Sequence, residues 1–176
     1  MTLSTVRRRV FVVVFVTMAL MGLLGPLVAR AQAPHVLILD VSGIINPVKV
    51  GYISRAIERA VQDRSTMVVI ELDTPGGLLS STREIVQLLL ESPVPVAVYV
   101  SPQGAGAGSA GTFITAAANF AVMAPGTNIG AATPVSSTGR DLEETLASKI
   151  ENAAAALIRS IAQERGRNEE KLEETV

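Results

Sequence analysis

Apolar positions along this chain switch between two periods, and the switches come at regular intervals. "HVLILDVSGII" reads as a strand, after which Val48 to Gln62 spaces Val50, Ile53, Ile57, Ala60 and Val61 as one face of an amphipathic helix. The pattern then repeats. "TMVVIEL" is a second strand, "DTPGG" a tight turn, and Leu78 to Glu91 a helix that turns Ile85, Val86, Leu88 and Leu89 inward. "SPVP" ends that helix, "VAVYV" is a third strand, the Gly-rich stretch "GAGAGSAGT" opens a third helix, and "FAVMAP" is a short fourth strand. Gly126 to Arg140, rich in Gly, Thr and Ser, reads as a mobile loop, and Asp141 to Arg165 as a long helix. The closing "GRNEEKLEETV" carries no stop signal, and we expect a chain truncated at its C-terminus.

Strands alternating with helices predict an α/β fold with a mainly parallel sheet. A composition of 48% hydrophobic but only 3% aromatic residues fits a core of Val, Ile, Leu and Ala, with helices expected over both faces of the strands. Ligands in such sheets sit beyond the carboxyl ends of the strands. Both "DTPGG" and "GAGAGSAGT" fall there, so the two glycine turns are expected to face one cleft.

The first residues belong to a different pattern. Arg7, Arg8 and Arg9 precede the apolar run Val10 to Leu24, and Ala29 and Ala31 then stand in an A-x-A arrangement, the order of a secretory signal. Residues 1–31 are therefore expected to be a signal peptide cleaved before Gln32, or else an N-terminal membrane anchor, and residues 32–176 the exported domain. Their removal takes away four arginines and no acid, moving the formal charge from −1 to −5. A mildly acidic body with three lysines disfavours nucleic acid as a partner. Without cysteine, thiol nucleophiles, thiolate metal sites and disulfides are excluded.

The Gly-rich stretch admits two chemistries. Gly106 to Gly111 fits G-x-G-x-x-G between strand and helix, but it follows the third strand rather than the first, and no acid stands about 20 residues on to meet a ribose. The alternative makes Ser109 a nucleophile at a helix start, where the positive end of the dipole and the free amide of Ala110 would meet developing negative charge. Ala107 keeps the segment from matching G-x-S-x-G. An ordinary N-cap role for Ser109 stays open.

A nucleophile needs a base. The one histidine, His35, opens the mature chain and reads as a solvated terminal residue, so a Ser-His-Asp triad and a histidine metal site are both disfavoured, and neither metal nor cofactor is expected. Lys149 stands on the stripe Leu142, Leu146, Lys149, Ala153, Leu157 of the long helix. A lysine amine is protonated in water at neutral pH and becomes a competent base only where burial disfavours its charge; snorkelling, with the ammonium in water, is the competing reading. Gly76 and Gly77 of "DTPGG" offer unobstructed N–H groups for an oxyanion, although a plain type II turn would use the same residues.

With these residues in place, "ELDTPGG", "GSAGTFI", "MAPGTNIGAATPV" and "SKIENAAAALIRSIAQERGRN" resemble the exported N-terminal protease domain of NfeD proteins, relatives of Clp protease and of signal peptide peptidase A, from about Val36 to Asn168. The resemblance implies a Clp protease/crotonase-like fold of repeated strand-strand-helix units, and a cofactor-free serine endopeptidase. Its catalytic dyad would be Ser109 and Lys149, its oxyanion hole the backbone at Gly77 and Ala110, and its substrate-binding loop would include Gly76 and Gly108. It also implies a homodimer or higher oligomer, apolar peptide or stomatin-like membrane-protein substrates, a periplasmic or otherwise extracytoplasmic location, and membrane association through C-terminal segments beyond this chain. Two rivals are a non-catalytic peptide-binding or scaffold module of a membrane complex, and an acyl-CoA enzyme of crotonase architecture, which nothing near the glycine turns supports except Asp73.

Overall fold

The computed structural model of the chain describes residues 14–18, 33–133 and 144–176. Met1–Ala33 form a unit separate from Pro34–Val176. Of the first unit, residues 14–18 are helical, with the Thr17 hydroxyl donating to the Val14 carbonyl at 2.9 Å; the expected cleavage site lies outside the described residues. No helix among the described residues is long and apolar enough to cross a membrane.

The second unit is built on a four-stranded parallel sheet in the order β1 (Val36–Ser42), β2 (Met67–Asp73), β3 (Val96–Val100), β5 (Phe120–Met123). Helices α1 (Pro47–Gln62), α2 (Leu79–Leu90), α3 (Ala110–Ala117) and α4 (Glu144–Arg165) alternate with the strands, and the short α5 (Glu169–Glu173) follows. Helix α1 starts where Asn46 accepts from the amides of Val48 and Lys49 at 3.0 and 3.1 Å, with Pro47 in the first helical turn, the position that best tolerates a missing N–H.

A second ladder runs beside the first. Strand β4 (Gly106–Gly108) pairs in parallel with β6 (Asn128–Gly130), and single bridges join Thr74 to Ala107 and Ile45 to Gly77. Each repeat is thus a long strand, a short second strand or bridge, and a helix. The strand-strand-helix expectation holds in this form. The reading of Gly126 to Arg140 as a loop does not hold at residues 128–130, because Gly130 and its neighbours are drawn into that ladder; residues 134–143 lie outside the described residues.

The core follows the alternation of the strands. Leu39 and Val41 of β1, and Val68, Ile70 and Leu72 of β2, are buried with Ile53, Ile57, Ile85 and Leu89 of the helices. Each such side chain contributes about 1.5–3 kcal/mol. The opposite face is not covered as expected: Val36 and Ile38 are 48% and 60% exposed. With successive strands placed side by side in chain order, right-handed crossovers carry α1, α2 and α3 to the same side of the sheet.

Candidate active site

Ser109 caps α3 in position only. Its side chain makes no capping hydrogen bond, and its backbone sits at φ 48°, ψ −110°, a region that a residue with a Cβ rarely enters. The ordinary N-cap role left open by the sequence is thereby set aside, since a capping serine is extended and its oxygen accepts from the first turn. Holding a non-glycine residue there costs about 1–3 kcal/mol, and such strain persists only where the surroundings over-determine it.

Those surroundings are specific. The Ser109 amide donates to the Gly130 carbonyl at 3.0 Å, and the Gly108 amide to the Thr74 carbonyl at 3.0 Å. Thr112, fully buried, places its hydroxyl 3.0 Å from the carbonyls of Ala107 and Gly130, and accepts from the Gly130 amide at 3.1 Å. One side chain therefore ties the helix that carries Ser109 to both strands of the short ladder.

Thr74 performs the same service for the other glycine turn. Its hydroxyl accepts from the Gly76 amide at 3.0 Å and lies 3.2 Å from the Gly76 carbonyl, while its own amide donates to Gly106 at 2.7 Å. Asp73 accepts from the Gly106 amide at 3.0 Å, which gives that acid a structural partner. Neither Thr74 nor Thr112 stood out in the sequence, where a threonine beside a glycine turn signals only a polar loop.

The two turns meet, as expected. Gly76 has φ 125°, and a Cβ added to it would stand 2.7 Å from the Ser109 Cβ and 3.2 Å from its hydroxyl. Gly108 backs onto the Pro75 carbonyl. Gly77 is pressed against the Ile45 backbone, to which its neighbours bond: Ile45 donates to the Gly76 carbonyl at 2.9 Å and accepts from the Leu78 amide at 3.0 Å. Alternation along the strand turns the Gly77 N–H away from Ile45, and it meets no acceptor among the described residues. The amide of Ala110, in the first turn of α3, likewise has none.

His35 is not a solvated end. It precedes β1 and its Nε2 is 3.1 Å from the Ser65 hydroxyl. That contact is at the amino ends of the strands, a strand's length of roughly 20 Å from the glycine turns. No group of three or more His, Cys, Asp or Glu among the described residues could hold a metal ion.

Lys149 lies in the first half of α4, where it is exposed together with Leu146, 47% accessible, and Ala153. Of the expected apolar stripe through Lys149, Leu157 packs against the core while Leu146 and Ala153 do not. The buried face is Ala154, Ile158, Ile161 and Ala162, because only the second half of the helix runs over the core. Leu142 lies outside the described residues.

The end of α4 and the residues just after it grip α3 from behind. Arg165 donates from Nε to the Ala117 carbonyl at 2.7 Å and from Nη2 to Leu89, the last residue but one of α2, at 2.9 Å. Arg167 donates from Nε to Ala116 and from Nη2 to Ala118, both at 2.7 Å. Burial, and secondarily the charge of Arg165, holds the Arg167 pKa below its ordinary value.

A cavity of about 490 Å³ opens on the bare face of the sheet, lined among others by Asp40, Glu71, Asp73 and Tyr99. Ser109 is not part of its wall.

The family model described as NfeD1b, N-terminal domain, matches residues 35–173. The chain is 42% identical over 136 residues to the membrane-bound protease PH1510 of Pyrococcus horikoshii, an alignment that takes in 76% of this chain and 30% of that protein. The chain thus spans less than a third of the length of that relative. Two solved structures of the 1510-N membrane-bound stomatin-specific protease superpose on it. A serine-to-alanine variant has TM-score 0.76 and 39% identity over 82% of this chain and 70% of that one. A lysine-to-alanine variant in complex with a substrate peptide has TM-score 0.75 and 38% identity over 82% and 67%. ClpP1 of Listeria monocytogenes, 20% identical with TM-score 0.59 over 78% and 77%, shares the fold.

Proposed function

The chain belongs to the NfeD1b N-terminal domain family, and from that premise we propose that it is a serine endopeptidase in which Ser109 is the nucleophile and Lys149 the general base. The observation that carries the reading is the backbone of Ser109, held at φ 48° with its hydroxyl free of any capping bond and set against Gly76. Strain of this kind is kept where it orients a reactive group. The solved serine and lysine variants of 1510-N support the same pair of residue types.

In the proposed reaction the Ser109 oxygen attacks the scissile carbonyl as its proton passes to the Lys149 amine. The oxyanion is met by the unpaired amides of Gly77 and Ala110, each donor of this type being worth about 3–4 kcal/mol of barrier. Collapse expels the peptide amine, which takes the proton from Lys149, and water then cleaves the acyl ester by the reverse sequence. Gly76 and Gly108 leave the approach open for an extended peptide backbone. Lys149 is exposed in the single protomer; substrate and a second copy of the chain close over the first half of α4 and take its amine out of water, the condition under which a lysine acts as base.

The proposed substrates are apolar segments of membrane-associated proteins, stomatin-like proteins among them, cut outside the cytoplasm. The name of the solved relative, a stomatin-specific protease, supports the class of substrate. The exposure of Lys149 favours one rival, a peptide-binding module that does no hydrolysis. A fluorophosphonate probe separates the two. Labelling of wild type and not of Ser109→Ala, with fragments of apolar peptides seen by mass spectrometry only for wild type, is the expected result; an unlabelled wild type beside a labelled control protease refutes the enzyme.

A further inference from the structure

We infer that Arg165 and Arg167 are positioning residues that hold Ser109 in its strained conformation by clamping α3 at the end opposite the serine; as a statement about catalysis this rests on the proposed nucleophile. Helix α3 is short and buried along its whole length. Eight residues are well below the roughly 12–15 at which a helix persists without help. Its last carbonyls have no partners within the helix, and burial denies them water.

Two guanidinium groups supply what is missing. Between them they take the carbonyls of Ala116, Ala117 and Ala118, and the second arm of Arg165 reaches the Leu89 carbonyl, so that the ends of α2 and α3 are fastened to one another. Paired donors in a planar fork fix direction as well as distance, which a lysine ammonium cannot do. Cations at this end also oppose the negative pole of the helix.

At its other end α3 is tied by the Thr112 hydroxyl and by the bond from the Ser109 amide to Gly130. The strained residue therefore lies at one end of a rigid rod pinned at both. Freed at the back, the rod shifts along its axis, and the backbone at residue 109 relaxes toward ordinary φ. The same helix that carries Arg165 carries Lys149, 16 positions earlier and about 24 Å away along the axis at 1.5 Å per residue. One element thus links the proposed base to the seat of the proposed nucleophile, and the clamp sets the register between them.

A double-mutant cycle on the 176-residue chain tests this without reference to activity. Ser109→Gly removes the Cβ that makes the native backbone costly and raises the urea midpoint. In an Arg167→Met background the backbone has already relaxed, and that rise shrinks by at least half. Equal rises in the two backgrounds overturn the proposal, because sites that act independently add; so does the absence of any rise in wild type. If Arg167→Met does not fold, Arg167→Lys, which keeps the charge and loses the fork, takes its place in the cycle.

Kinetics provide the second readout. Arg167→Met lowers kcat about 100-fold, the scale of a 1 Å misplacement, with KM changed less than about threefold; an unchanged kcat, in a preparation where Ser109→Ala is inactive, overturns the positioning role. A wild type that hydrolyses nothing refutes the protease reading alone and leaves the cycle to decide the clamp.

Discussion

Replacing the proposed nucleophile with glycine should make the protein more stable than replacing it with alanine. Ser109 sits at φ 48°, ψ −110°, a conformation open to glycine and costly to any residue with a Cβ. Alanine keeps the Cβ, and with it the strain; glycine releases about 1–3 kcal/mol. Against this stands the greater freedom of glycine in the unfolded chain, about 0.4–1 kcal/mol. The net advantage of Ser109→Gly over Ser109→Ala is then about 1 kcal/mol, which for a chain of this size corresponds to roughly 2–4 °C in Tm. Both variants lack the hydroxyl, so its other interactions cancel in the comparison. Urea unfolding followed by far-ultraviolet circular dichroism, with thermal scans beside it, measures the difference. A glycine variant no more stable than the alanine variant would show that any strain at residue 109 is no larger than the entropic cost of glycine, about 0.4–1 kcal/mol, and the chief support for the nucleophile would be gone.

The other expectations concern the groups around it. Lys149→Ala abolishes peptide cleavage while shifting stability by no more than about 0.5 kcal/mol, as befits an exposed side chain; full turnover in this variant would refute the dyad. Gly77→Ala would bring a Cβ to 2.1 Å from the Ile45 carbonyl oxygen, so the bridge must part and the oxyanion donor move; kcat should fall roughly 100- to 1,000-fold, and a near-normal kcat would remove Gly77 from the oxyanion site. Thr112→Val strips a buried hydroxyl from the carbonyls of Ala107 and Gly130 and from the Gly130 amide, costing about 1–3 kcal/mol in urea unfolding; a loss under about 0.5 kcal/mol would show that those groups find other partners.

Much of the framework was legible in the chain because it depends on local period. The strands around Leu39, Ile70 and Val98 and the helices around Ile57 and Ile85 announce themselves through spacing that a few neighbouring residues carry. Parallel order followed from their alternation. The convergence of the two glycine turns followed as well, since both lie after carboxyl ends of strands in such a sheet. Strands β4 and β6 escaped notice because a run of three residues is too short to display a period, and only pairing with a distant segment makes them strands.

What the amino acids determined alone was the list of chemically able groups: one serine in a glycine-rich turn, a lysine and no eligible histidine, free amides after two strands. The tertiary structure decided their state. It set the backbone of Ser109 in a rarely populated region through the bond of its own amide to Gly130 and of the Gly108 amide to Thr74, left Lys149 in solvent on the unpacked half of its helix, and turned Arg165 and Arg167 onto the carbonyls of a helix some 50 positions earlier in the chain. Strain, exposure and the satisfaction of buried carbonyls arise between segments far apart in sequence. No local pattern encodes them, because each is a property of what has been brought alongside.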